Sequence, residues 1–164
     1  MSETTIIVNE KDEVIGSKKR EDITSSDIYR VSALWLTNNT GEVLIVQRAF
    51  TKKHDPGLWG PAVSGTVEEG QTYDSNIVKE TEEELGLTEL SITKGPKILR
   101  TGKHTRFCQW YFAHTDKKIT DLTLHTEEVI AARWISPALL LAEVREHPER
   151  FIPSTREHIE RFCS

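Results

Sequence analysis

The sequence predicts a mixed α/β (α+β) fold, on three observations. Short β-prone runs lie on both sides of one amphipathic helical segment at 72–85. A second helix opens at Ser136-Pro137, with serine as cap and proline at the first helical position. A third helical stretch follows over 154–162. Strands flanking a central helix, with helices after them, suit a sheet covered by helices.

Thr5 to Val8 and Val14-Ile15 are β-prone runs around a polar Asn9–Glu13 turn, which predicts a small hairpin. The polar segment 16–27 reads as a loop, so residues 1–27 are expected as a hairpin extension with a linker and 28–164 as the main domain with C-terminal helices. Tyr29 to Leu36 is strand-like, Asn38-Asn39-Thr40-Gly41 is a turn, and Glu42 to Arg48 is expected to return as its partner. Pro56-Gly57 breaks the chain before an extended run, Trp59 to Val67. From Thr72 the period becomes helical, with Asp74, Ile77, Val78, Thr81 and Leu85 on one side; Thr72 caps the start and Gly86 the end. Further strands are expected at 98–101, 107–114 and 133–135, then a helix from Ser136-Pro137 to about Glu146.

With 164 residues and 37% hydrophobic side chains, the chain has the apolar content of one globular domain. Twenty-six acids against 21 bases give a net charge of −5, which argues against a general binder of nucleic-acid polymers. No apolar run reaches membrane-spanning length, and MSETTIIVNEKDEV has no basic leader before an apolar block. Cys108 and Cys163 stand alone, which suits a reducing compartment. The expectation is a cytoplasmic protein.

The acids are unevenly placed. Residues 64–90 hold eight of them against Lys79 alone, so the entire surplus lies in one segment. Glu80, Glu83 and Glu84 stand at i, i+3 and i+4, which puts their carboxylates on one helical face, expected to lie off the core side. A solvated face is one reading. Yet Glu80 meets Glu84 where lysine would ordinarily sit, and like charges about 6 Å apart repel by roughly 3 kcal/mol in a partly enclosed site. A divalent cation relieves that repulsion, and oxygen donors suit Mg²⁺ or Mn²⁺.

The segment GTVEEGQTYDSNIVKETEEELGL resembles the Nudix box, G-x5-E-x7-R-E-U-x-E-E-x-G-U, meeting six of its nine specified positions: Gly65, Glu80, Glu83, Glu84, Gly86 and Leu87. Gln71 replaces the first glutamate, Lys79 the arginine and Thr81 the aliphatic residue. The resemblance covers about residues 28–147 and implies an α/β/α sandwich with a central loop–helix–loop. It implies Glu80, Glu83 and Glu84 as metal-binding and catalytic carboxylates, with the Gly65 carbonyl a further metal ligand. It also implies Mg²⁺ (or Mn²⁺)-dependent cleavage of a small nucleoside diphosphate derivative or other organic diphosphate. Homodimers are common among such proteins. The family's arginine and first glutamate form a supporting ion pair; a Lys79–Gln71 hydrogen bond is expected in its place. Glu80 is the first candidate to accept the attacking water's proton, with Glu127 or Glu128 as a possible extra carboxylate.

A narrower likeness lies in RAFTKKHDPGLW and NEKDEVIG, which resemble the isopentenyl-diphosphate isomerase-like branch of the family. That likeness implies Arg48 and Lys52 as diphosphate-binding residues, and cations there are chemically apt. The isomerase's own machinery is missing. Its cysteine before the box glycine is Ser64, its metal-binding histidine is Thr66, and its glutamate pair falls near Thr105 and Phe107. Serine is a far weaker acid than a thiol. A hydrolase is therefore the favoured reading, with an isomerase or a non-catalytic ligand-binding module as alternatives. Trp59, Phe107, Trp110 and Tyr111 read as core or as base-stacking residues. His54 and His104 read as loop residues or phosphate contacts, Arg100, Lys103 and Arg106 as a basic strip, and Lys94 and Lys97 as solvated.

Overall fold

The structure, a computed structural model, describes residues 3–163. In chain order these form β1 (Thr4–Val8), β2 (Val14–Lys19), β3 (Ile28–Thr37), β4 (Val43–Arg48), β5 (Trp59–Pro61), β6 (Val63–Thr66), α1 (Tyr73–Leu85), β7 (Thr93–Arg100), β8 (Thr105–His114), β9 (Val129–Ile135), α2 (Pro137–Glu146) and α3 (Pro153–Cys163). Short 3-10 turns stand at Arg20–Asp22, Ile119–Asp121 and Pro148–Arg150.

The continuous apolar run in β3 follows from burial on both faces. Leu34 and Leu36 join Leu44 and Val46 of β4 in one core with Ile77 and Leu85 of α1. Their neighbours Ala33, Trp35, Val43 and Ile45 form a second core with Leu140 and Val144 of α2 and Ile159 of α3. Alternation by two along each strand therefore sends successive residues to opposite layers. The result is a mixed sheet between α1 on one side and α2 and α3 on the other.

Pairing departs from the hairpin expected for β3 and β4. They share only the pair Thr37 and Val43. β3 instead runs parallel to β8 over its whole length and antiparallel to β6, while β4 pairs with β9 and β5. Both strands are apolar on both faces, so each is best placed inside the sheet rather than beside its neighbour in sequence. The segment 16–27, expected as a loop, begins as strand. β2 continues to Lys19 against Thr4 of β1, and its polarity reflects an exposed edge. β7 and β9 likewise start earlier than expected, at Thr93 and Val129.

Both cysteines are free. Among the described residues, no helix is long and apolar enough to cross a membrane.

Candidate active site

The site is built around α1 and the strand before it. Thr72 caps α1: its side chain accepts from the Ser75 amide, and Ser75 Oγ accepts in return from the Thr72 amide. Gly86 closes the helix with φ 68°, donating its amide to the Glu82 carbonyl. Gly65 in β6 lies flat against Glu80. A Cβ there would come within 2.6 Å of Glu80 Cγ, so only glycine lets the carboxylate approach the strand.

The helix buries Ile77, Thr81 and Leu85 as periodicity suggested, but its inner face is turned from the expected one. Asn76, Ile77, Thr81, Glu84 and Leu85 are buried, whereas Val78, expected on the core side, is 55% exposed. Glu84, expected off that side, is only 9% exposed. Loop 123–128 folds over it, donating the Thr123 amide to the Leu85 carbonyl at 3.0 Å and the His125 amide to the Glu84 carbonyl at 3.2 Å. Helical spacing could not show this cover.

Burial and like charge act together on the carboxyls. Glu80 is pushed up to about 7, first by burial, then by the charge of Glu83, with Glu68 adding to it and Lys79 opposing. Glu84 is held well above the ordinary carboxylate range, first by burial, then by the charges of Glu80 and Glu128. The pair thus resists ionising together, on top of what burial does. Glu83 points outward, half exposed, with Lys79 Nζ at 3.9 Å. Among the described residues, no three His, Cys, Asp or Glu side chains converge at metal-ligating distance. The oxygen-only donors, and the like-charge repulsion that a cation would relieve, still suit a hard divalent ion.

Arg48, Ser64, Glu84 and Glu128 line one small cavity with Gly60 and Pro61. The Arg48 Nε donates to the His54 carbonyl at 3.0 Å, fixing the loop after β4. Lys52 Nζ stands 2.5 Å from Glu128 Oε2, and the Ala49 amide donates to the Glu128 carbonyl at 2.9 Å. Arg48, Lys52, Glu84 and Glu128 thus come together. Glu127 does not: its side chain is 88% exposed, beside His125.

The expected Lys79–Gln71 bond is absent among the described residues. Gln71 Oε1 instead accepts from the Glu68 amide and from Asn76 Nδ2, at 3.0 and 2.9 Å. Asn76 Nδ2 also donates to the Thr66 carbonyl, and Ser32 Oγ donates to Asn76 Oδ1. Asn76 and Ser32 are fully buried. A neutral amide network thus braces the loop before α1. Asn76 is the residue the sequence reading passed over, and a polar side chain between Ser75 and Ile77 on the buried side was its only local signal.

Several other expectations resolve here. Phe107, Trp110 and Tyr111 are buried, and Tyr111 donates its hydroxyl to Asp74. The Arg133 guanidinium sits 4.8 Å from the Trp59 ring centre. His54 and His104 meet edge-on at 5.5 Å, and burial, then His104, lowers the His54 pKa. Arg100 pairs with Glu157, and Arg106 donates to the His104 carbonyl. Lys94 and Lys97 are tied to Asp74 and Asp12 rather than merely solvated.

Comparison with known proteins follows the same lines. The NUDIX domain family matches residues 28–155. An uncharacterized Nudix hydrolase of Pseudomonas aeruginosa is 31% identical over 143 residues, covering 86% of this chain and 83% of that protein. An isopentenyl-diphosphate Delta-isomerase of an Enterobacter species is 24% identical over 162 residues, covering 93% and 87%. The crystal structure of DR0079 from Deinococcus radiodurans superposes with a TM-score of 0.85 at 25% identity, covering 97% of this chain and 98% of that one.

Proposed function

Because the chain belongs to the Nudix hydrolase family, we propose that it is a Mg²⁺- or Mn²⁺-dependent pyrophosphohydrolase that cleaves the diphosphate linkage of a small nucleotide or other organic diphosphate. The observation that carries this reading is the Glu80–Glu84 carboxyl pair, both raised in pKa, with Glu80 lying against Gly65. Glu80, Glu83, Glu84 and the Gly65 carbonyl would hold the cation, which when bound neutralises phosphate charge and makes the attacking water more acidic.

The chain's own residues do the rest. Arg48 and Lys52 bind the diphosphate oxygens through charge-assisted hydrogen bonds. Lys52 exchanges Glu128 for phosphate as substrate enters, and this frees a carboxylate beside Glu84. Glu80, or else Glu128, would then accept the water's proton. Glu127, turned to solvent, is assigned no part.

The isomerase reading draws on relatives that carry that name. It is disfavoured by Ser64, which lines the cavity where that chemistry needs a thiol. Incubation of the protein and Mg²⁺ with a panel of nucleoside diphosphates, their conjugates and isopentenyl diphosphate tests both readings at once. We expect a phosphate or monophosphate product from at least one diphosphate and no double-bond isomer. Isomer without hydrolysis of any compound would overturn the assignment.

A further inference from the structure

We infer that the N-terminal hairpin, β1 and β2, clasps the loop and helix of the candidate active site, and that Asp12 at its tip is a positioning residue. The inference rests on the hydrolase reading for its kinetic consequence only. Residues 4–19 lie outside the span the family matches, yet the hairpin and the turn after it grip that span at three places.

The first grip is backbone pairing. The Glu69 amide donates to the Thr4 carbonyl at 2.8 Å, and Thr5 stands opposite Glu68 as an isolated bridge. Ile6 and Val8 pack there against Val67. The second is Arg20, just after β2, whose guanidinium donates to Thr66 Oγ1 at 2.7 Å, one residue from Gly65.

The third is Asp12, whose carboxylate is only 6% exposed. It accepts from Arg30 Nε and Lys97 Nζ, each at 2.7 Å, and from the Tyr73 hydroxyl at 3.0 and 3.1 Å. Its carbonyl accepts a further Arg30 bond at 2.7 Å. Asp12 holds φ 61°, a left-handed conformation that aspartate adopts more readily than most residues, and its amide closes the turn onto the Asn9 carbonyl at 3.0 Å. Both cations also lie over the Tyr73 ring, at 5.0 and 5.8 Å.

The consequence follows from helix geometry. Tyr73 is the first residue of α1, and Glu80 and Glu84 follow it at i+7 and i+11. At 100° per residue, all three fall within about 20° of one line along the helix. A rotation or tilt at Tyr73 therefore reaches both carboxylates. Arg30 links the grips: its carbonyl accepts the Val67 amide at 2.9 Å while its side chain holds Asp12. Loss of the Asp12 charge leaves two cations facing one phenol with nothing to gather them.

The test is Asp12→Asn, with Glu13→Gln as the control, because the described Glu13 carboxylate bond goes only to the Asn9 side chain. Hydrogen exchange at the Val67, Glu69 and Gln71 amides should quicken about tenfold in Asp12→Asn and stay unchanged in Glu13→Gln. Well below the melting temperature, kcat should fall about tenfold and the Mg²⁺ concentration for half-maximal rate should rise, with substrate KM unchanged. A merely structural clamp would lower Tm and quicken loop exchange while leaving kcat and Mg²⁺ demand as in the parent; that result overturns the positioning role of Asp12, and unchanged exchange overturns the clasp. Should the parent hydrolyse no diphosphate, exchange alone decides for or against the clasp. Should Asp12→Asn fail to fold, Lys97→Gln carries the test, and unchanged exchange at 67–71 refutes it.

Discussion

Glu84 occupies the least comfortable position of any carboxylate on α1. It is buried at 9% exposure beside Glu80 and Glu128, and the positive charge of Arg48 offsets them in part. Replacing it by glutamine removes a carboxyl whose ionised form the fold tolerates poorly and the proposed cation needs. Glu84→Gln should therefore raise the Tm of the metal-free protein while lowering kcat by at least about 100-fold, the scale on which a lost charge-stabilising group acts. An enzyme assay beside a thermal melt checks both halves. Glu128→Gln should cost about tenfold, because it also releases Lys52, whereas Glu127→Gln should be neutral. The Glu80, Glu83 and Glu84 spacing was legible in the sequence because one helix carries all three. The burial of Glu84 was not, because loop 123–128, some 40 residues on, supplies the cover.

At the scale of the element, α1 was readable to within a residue, since Thr72 and Gly86 are local signals that do not depend on the rest of the chain. Strand partners were not readable, because β3 meets β8 about 77 residues later and no turn links them. The loop before α1 combines both cases. Gln71 and Lys79 showed that the family's ion pair was gone, but the replacement required Ser32, 44 residues from Asn76. Asn76→Ala should strand Ser32 Oγ and the Thr66 carbonyl and leave Gln71 only the Glu68 amide, costing about 1–3 kcal/mol in chemical denaturation. Gly65→Ala should push Glu80 off the strand and raise the Mg²⁺ concentration needed for activity, with a smaller change in Tm. An unaltered metal dependence in that variant would contradict the placement of Glu80 against Gly65.

For the whole molecule, the net charge of −5 conceals a local one, with the surplus confined to 64–90. Glu80 and Glu84 have folded pKa values above their unfolded ones, so at these two sites the folded chain binds more protons than the unfolded chain from about pH 4.5 to about 7. His158, lowered to about 4 chiefly by burial, and His54, lowered likewise, act the opposite way up to about pH 6.5, so the fall in stability of the metal-free protein with rising pH is clearest from about pH 6.5 to about 7. Asp12, Asp27, Asp74 and Glu143 are shifted the other way, so their contribution is lost only at lower pH and is complete here. Melts above about pH 6.5 should show Tm declining, at roughly 2–4 °C per kcal/mol. Added Mg²⁺ should flatten the slope by holding both carboxylates ionised. The most direct measurement of the central claim is the rate of diphosphate cleavage as Mg²⁺ is titrated into chelator-treated protein, parent beside Glu83→Gln and Glu84→Gln. The account predicts no turnover without metal, a saturable rise with it in the parent, and little or none in either variant. Cleavage that persists in chelator, or variants that titrate like the parent, would contradict it.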